Sequence, residues 1–407
     1  MHEWSDEHLM IQGAMRDFVQ KNIRPNLEEL EHGDTPPYEI LRKMYKEFGI
    51  DAANKATFDK RIARDKAIAA GELDADVGER SGGGDPAFTL IPIIELCRYC
   101  PGMVTAMGVS VGLTAAAIMS KGTIEQKEKW ALPLLTMEKI GSWAITEPNS
   151  GSDAFGSMRA SAKRDGDEYI LNGSKTFITN GPYADTIVFI CKLDEGNDFK
   201  DRKVLSFVLD SGMEGLVQSK PLRKMGMHSS PTGELFLSDV RVGRDRLIGE
   251  TEDAKGGREG AKATFMQERS GVAAMALGII EQCLELCIDY SKNRVQFGQP
   301  IGDFQLIQLK LTKMEVARMN CQNLVFRTIE LAQAGSTMTL AEASAMKLYS
   351  AQAATDCALE AVQLFGGNGY MSEFQVEQLA RDAKVLQIYA GTDEIQTSQI
   401  ARSLLAG

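Results

Sequence analysis

The sequence lacks the short signatures that hold phosphates or metals in many enzymes. It has no G-x-x-x-x-G-K-S/T, no strand-borne G-x-G-x-x-G and no H-E-x-x-H. That excludes a P-loop, a dinucleotide fingerprint and a zincin helix. Histidine is scarce: His2, His8, His32 and His228 lie far in sequence from Cys97-x-x-Cys100, and no second such cysteine pair exists. No metal site is therefore expected. The 7 cysteines are odd in number and scattered, which fits reduced thiols packed as small hydrophobes. Positive charge is in deficit, 45 Lys and Arg against 56 Asp and Glu for a net charge of −11, which argues against a nucleic-acid partner. The chain opens polar and acidic, with no basic segment leading into an apolar core. The expectation is a cytoplasmic protein, or a mitochondrial-matrix one if the chain is a trimmed mature form. One uncharged stretch, 103–120, is rich in Ala, Gly, Ser and Thr, and reads as a helix buried among helices, not a membrane span.

What is present divides into three textures. With 407 residues, 43% hydrophobic and 25% charged, the chain is long enough for two or three globular domains. Residues 1–138 read as helical: Leu9, Ile11, Met15, Phe18 and Val19 recur at helical spacing until Arg24-Pro25 interrupts them. A second helix is expected over 39–48. The charged stretch 52–84, ending in glycines, reads as an exposed helix followed by a turn. From 139 to 250 the apolar runs become short and β-branched, at 169–171, 186–190 and 204–209. Turns are expected at Asn172-Gly173, Asn180-Gly181-Pro182 and Asp210-Ser211-Gly212, which makes this an all-β domain. From 251 to 407 helical periodicity returns over 261–294, 303–332, 340–365, 373–387 and 393–405, the pattern of a four-helix-type bundle. Strands and helices are segregated along the chain, so the fold class is α+β rather than doubly wound α/β.

Three segments stand out chemically. Trp143 to Asp153 is a turn rich in Gly, Ser and Asn, with 175–181 beside it, and such turns expose N–H groups to an anionic ring edge or a phosphate. Arg294-Val295-Gln296-Phe297-Gly298 ends a helix. Gln363 to Tyr370 is a glycine-rich break where backbone can approach a ligand. Each alone also fits an ordinary turn or helix cap.

In order, these segments resemble the acyl-CoA dehydrogenase family over nearly the whole chain. The resemblance rests on Thr146-Glu147-Pro148 with Gly151-Ser152-Asp153, Phe177-Ile178-Thr179 and Arg294-x-Gln296-Phe297-Gly298. It continues through Gln363-x-Phe365-Gly366-Gly367-x-Gly369-Tyr370, Arg381-Asp382-Ala383-Lys384 and 389–396. It implies a helical N-terminal domain, a β-barrel or sandwich middle domain, a C-terminal four-helix bundle and a homotetramer. FAD would lie between the β domain and the bundle. Trp143, Ile145, Thr146, Phe177 and Thr179 would line the flavin. Arg294, Gln296, Phe297, Gln363, Gly366 and Gly367 would hold its pyrophosphate and adenosine, with Thr392 and Glu394 also at the cofactor. Ser152, Arg269 and Arg402 would lie near the CoA moiety, and Tyr389, Ala390 and Gly391 at the thioester. An acyl-CoA would be the substrate and an electron-transfer flavoprotein the redox partner.

The chemistry needs a carboxylate to take the proton α to the thioester, in a dry pocket that raises its pKa, and donors for the enolate-like oxygen. Many family members carry Glu before Gly-Thr, whereas this chain has Tyr389-Ala390-Gly391-Thr392. Alanine takes no proton, although its N–H survives. A subgroup that includes isovaleryl- and long-chain-type members places the base on the first long helix of the bundle, in a Glu-Arg pair, and Glu268-Arg269 matches it. Glu268 is thus the expected base, with Asp393, Glu394 and Asp85 as fallback carboxylates. The same scaffold also accommodates an enoyl-CoA reductase, a flavin monooxygenase-like enzyme and a non-catalytic homologue that binds FAD or acyl-CoA.

Overall fold

The structure, a computed structural model, describes residues 3–74, 84–253 and 257–406, and for 257–268 and 270 the backbone alone. The first helix, α1 (Asp6–Phe18), starts at Ser5, whose hydroxyl accepts from the His8 N–H while the His8 ring accepts from the Ser5 N–H. This reciprocal cap satisfies two otherwise orphaned donors. After a π-helical turn, Arg24-Pro25-Asn26 tightens to a 3-10 turn, as the proline position requires. There follow α2 (Leu27–His32), α3 (Tyr38–Glu47), α4 (Ile50–Ala69), α5 (Ala87–Cys97), α6 (Pro101–Met107), α7 (Ala116–Lys121), α8 (Ile124–Gln126) and α9 (Leu132–Leu135). The charged helix expected after residue 52 is α4. It is mostly exposed but buries Phe58 and Ile62 in the core beneath the β-sheet. Ser81, Gly82 and Gly83 of the expected turn lie outside the described residues.

The middle of the chain forms one seven-stranded sheet. Its strands are β1 (Gly141–Ala144), β2 (Ser161–Asp165), β3 (Glu168–Thr179), β4 (Thr186–Leu193), β5 (Val204–Asp210), β6 (Leu216–Gln218) and β7 (Thr232–Gly243). Their order is β1-β4-β2-β3-β7-β6, with β5 paired to β4. β4 is buried along its whole length, which explains why its central run, 187–191, is continuously apolar instead of alternating. One expected turn is corrected. Asn172-Gly173 lies inside β3, at a shift of register against β7. Gly173 has φ 147°, and a Cβ there would sit 2.7 Å from that of Ala160. Glycine serves close backbone approach at a bulge, not chain reversal.

Beyond the sheet lie α10 (Gly257–Asn293), a hairpin of β8 (Val295–Gln296) and β9 (Gln299–Pro300), α11 (Gln305–Gln333), α12 (Leu340–Phe365), α13 (Val376–Lys384) and α14 (Asp393–Leu405). α10 packs against α11, α12 and α5. At the α10–α5 crossing a Cβ on Gly278 would meet the Ile94 carbonyl at 2.2 Å, so only glycine permits that approach. The N-terminal helices and the bundle therefore share one hydrophobic core, in which Leu96, Met103, Leu277 and Ile280 are buried together. Among the described residues two helical segments, Pro101–Lys121 and Gly271–Asn293, are long and apolar enough to cross a membrane, with 56% and 72% of their most apolar stretches buried inside the fold. All seven cysteines are buried free thiols, and burial pushes the Cys97 and Cys100 thiols well up.

Candidate active site

The expected site residues fall into three groups. The first is where β1 runs out beside the end of β3. The Thr176 N–H donates to the Thr146 carbonyl at 2.9 Å, which ties the two segments side by side. Beneath them Lys175, 0% exposed, donates to the Ile145 carbonyl and to Glu147 Oε1, both at 2.9 Å. Glu147 also accepts from the N–H groups of Arg159 (2.6 Å) and Ala160 (2.9 Å). Burial pushes the Lys175 ammonium down, against the opposing pull of Glu147. A second register shift falls between Lys175 and Ile178, and within it Phe177 takes φ 57° and is 69% exposed. A bulky residue with positive φ is uncommon and marks a constrained position. Trp143, Thr146 and Thr179 are half-buried nearby, Ile145 is buried, and Ser152 lies exposed in the loop that follows.

The second group is at the far end of α10. Phe297 (φ 54°) and Gly298 (φ 81°) form the tip of the β8–β9 hairpin, and Phe297 is 94% exposed. Two successive positive φ angles match a tight primed turn. The Arg294 N–H donates to the Tyr290 carbonyl, while Asn368 Nδ2 donates to the Tyr290 hydroxyl at 3.0 Å. Tyr290 stacks on Phe365 with centroids 4.0 Å apart. One tyrosine therefore joins the Arg294–Gln296–Phe297 segment to the glycine-rich 366–370 break. Gln363, Gly366 and Gly367 are exposed there, and a Cβ at either glycine would meet nothing within 4 Å. Gly366 takes φ 61°, which by itself favours glycine, whereas nothing in the internal packing requires Gly367, so room for a ligand is the physical account of that one.

The third group surrounds the turn before α14. Ala390 (φ 54°) and Gly391 (φ 89°) are both left-handed. Arg269, on α10, is buried and donates to Ser344 Oγ at 2.9 Å, and a side chain at Gly391 would meet its Nη2 at 3.5 Å. The Tyr389 hydroxyl contacts Met275 Sδ at 3.3 Å. The face of α10 that begins at Arg269 thus packs on the 389–391 turn. Glu268 precedes Arg269 on that helix, and its side chain lies outside the described residues. Thr392 caps α14 by accepting from the Ile395 N–H, and Glu394 is held below the ordinary carboxylate range by its own N–H and then by the Thr392 hydroxyl.

The fallback carboxylates have other work. Asp393 accepts from Lys347, Gln352 and Gln387. Asp85 accepts from the Ala87 N–H at the start of α5 and from Gln333, and contacts His8 at 3.1 Å. Arg402 is exposed, and among the described residues no side-chain contact joins it or Ser152 to the three groups. Sequence reasoning gave no role to Lys175, Tyr290 or Gln396, although Lys175 opens the 175–181 segment and Gln396 closes the 389–396 motif. Those two segments were the signal available for Lys175 and Gln396; nothing in the sequence marked Tyr290.

Family models describe the same three parts: acyl-CoA dehydrogenase N-terminal domain over residues 49–138, middle domain over 142–240 and C-terminal domain over 255–405. The chain belongs to the acyl-CoA dehydrogenase family and is an oxidoreductase of that class. It is 36% identical over 394 residues to a short-chain-specific acyl-CoA dehydrogenase of Megasphaera elsdenii, covering 96% of this chain and 95% of that one. The solved structure of butyryl-CoA dehydrogenase from the same organism superposes with a TM-score of 0.85 at 34% identity, covering 100% of both chains. The CarC subunit of the caffeyl-CoA reductase–Etf complex of Acetobacterium woodii is 33% identical over 407 residues, covering 99% of each chain.

Proposed function

We propose that the chain interconverts a short acyl-CoA and its trans-2-enoyl-CoA, with Glu268 as the base for the α proton, FAD as cofactor and an electron-transfer flavoprotein as redox partner. The observation that carries this reading is the packing of Arg269 against Gly391. It brings the helical turn that bears Glu268 to the turn where Ala390 has replaced the family's usual carboxylate. FAD fits the exposed Phe177 and Phe297, the half-buried Trp143 and the open glycines at 366 and 367. When bound, it would supply the acceptor for hydride from the β carbon. Phe177 and Trp143 would flank its ring, and Arg294 and Gln296 would meet its phosphates. Glu268 would hold the proton removed from the α carbon, while the N–H groups of Ala390 and Gly391 face the thioester oxygen. The base role requires a water-excluded pocket, which raises a carboxyl toward neutrality.

The short-chain assignment follows the names of the Megasphaera relatives, and the flavoprotein partner follows the name of the Acetobacterium complex. That complex is named a reductase, so reduction of the enoyl-CoA is the second reading of direction. A homotetramer would cover the exposed Leu306, Leu309, Val316 and Met319 of α11. The test is a panel of acyl-CoAs from four to sixteen carbons, assayed with an artificial electron acceptor. The highest kcat/KM is expected at the short end, and a maximum at twelve carbons or more would overturn the substrate class.

A further inference from the structure

The turn that would face the thioester is held by a residue outside the reacting groups. Gln396, in the first turn of α14, is 0% exposed. Its Nε2 donates to the Ala390 carbonyl at 2.9 Å and to the Gly391 carbonyl at 2.8 Å. Both amide hydrogens are thus committed to two successive carbonyls, which also fixes which end of the amide is nitrogen. Ala390 carries a β carbon at φ 54°, a conformation L-residues disfavour. Because the peptide unit is planar and trans, a carbonyl turned toward Gln396 sends the N–H of the following residue the opposite way. Clamping the Ala390 carbonyl therefore turns the Gly391 N–H away from α14, and holds φ and ψ of Ala390 while its own N–H stays free. Among the described residues, neither the Ala390 nor the Gly391 N–H has a protein acceptor.

We propose that Gln396 is a positioning residue that locks the 390–391 turn so that its unused N–H groups stay aimed at the substrate's thioester oxygen. The proposal rests on the reading above, that a CoA thioester places its carbonyl at this turn. Gln396 does not touch the substrate; it acts through the backbone of residues 390 and 391. Without its two donors the alanine is free to relax to negative φ, and the peptide plane turns with it.

The test uses a β-thia acyl-CoA, in which sulfur replaces the β carbon, so that the α proton can leave but no β hydride can. The purified holoenzyme is saturated with it in D2O, and α-deuteration is followed by mass spectrometry alongside the analogue's Kd and the protein's Tm. Gln396→Met keeps the length and loses both donors. The expected result is an exchange rate lower by about tenfold or more, as for loss of an oxyanion donor, with Kd changed by less than about threefold. Adding Ala390→Gly should restore part of the rate, because glycine adopts positive φ without the steric penalty. If Gln396→Met does not fold, Gln396→Leu is read the same way, since its side chain has no donor either. Exchange within twofold of wild type in either folded variant overturns the proposal, as does a Kd loss that accounts for the whole effect. Glu268→Gln in the same assay separates the two claims. Exchange lost there but intact in the Gln396 variants refutes only the clamp, and exchange intact in Glu268→Gln refutes the base.

Discussion

Replacing Lys175 by methionine tests whether the edge of the sheet proposed to face the flavin is held together from beneath. Lys175 is 0% and Glu147 about 5% exposed, and their contact is 2.9 Å. Methionine fills much of the volume but removes the charge, leaving the Glu147 carboxylate buried with only the Arg159 and Ala160 N–H groups. Stranding one member of a buried pair costs about 3–5 kcal/mol. If the 407 residues unfold as one cooperative unit, that corresponds to a fall in Tm of about 4–6 °C. The loss should be larger in function than in stability, because the Ile145 carbonyl is released as well and the 143–147 segment can slide against 176–179. Scanning calorimetry gives the first number, and the absorbance of retained flavin after dialysis gives the second. Adding Glu147→Gln should recover at least half of the lost stability, because the buried charge disappears with its partner. A single variant within 1 kcal/mol of wild type would refute the reasoning, since it would mean that water or another cation reaches Glu147.

Glu31 supplies a pH signature. Its carboxyl is pushed up by burial first and then by the nearby Asp382, itself pushed up by burial, with Arg381 at 3.6 Å pulling the other way. His228, Lys224 and Glu377 complete the charges around the pair. Because the folded state holds this proton more tightly than the unfolded chain, the associated stability is full below the ordinary value of 4.5 and is lost as pH rises through the raised one. Glu31→Gln should flatten that alkaline decline in denaturant titrations, and an unchanged slope would count against it. Phe297→Ala should leave Tm almost unchanged, within about 0.5 kcal/mol for so exposed a side chain. The same variant should release flavin more readily on dialysis, and wild-type retention would remove Phe297 from the cofactor site.

Most of the architecture was legible from periodicity. Helical spacing located α1 and the long helices of the bundle, and short β-branched runs located β3, β4 and β5. Asn172-Gly173 misled because local turn propensity was overridden by strand pairing, with glycine chosen for its approach to Ala160. The vacancy at Ala390 and the Glu268–Arg269 pair are visible as letters, but their juxtaposition is not. It depends on α10 crossing beneath the 389–391 turn, a contact more than a hundred residues apart. The burial of Lys175 and Gln396 was illegible for a different reason. A lysine in a strand and a glutamine in a helix's first turn ordinarily face water, and only tertiary packing reveals that these two are buried and bonded to backbone carbonyls.

The central claim is that a helix-borne carboxylate does the work Ala390 cannot. It is tested most directly by anaerobic stopped-flow of flavin-loaded Glu268→Gln with a short acyl-CoA, following loss of the oxidised flavin absorbance. Removal of a general base predicts a rate lower by about 10²- to 10⁴-fold with substrate binding retained. A rate within a few-fold of wild type would contradict the account.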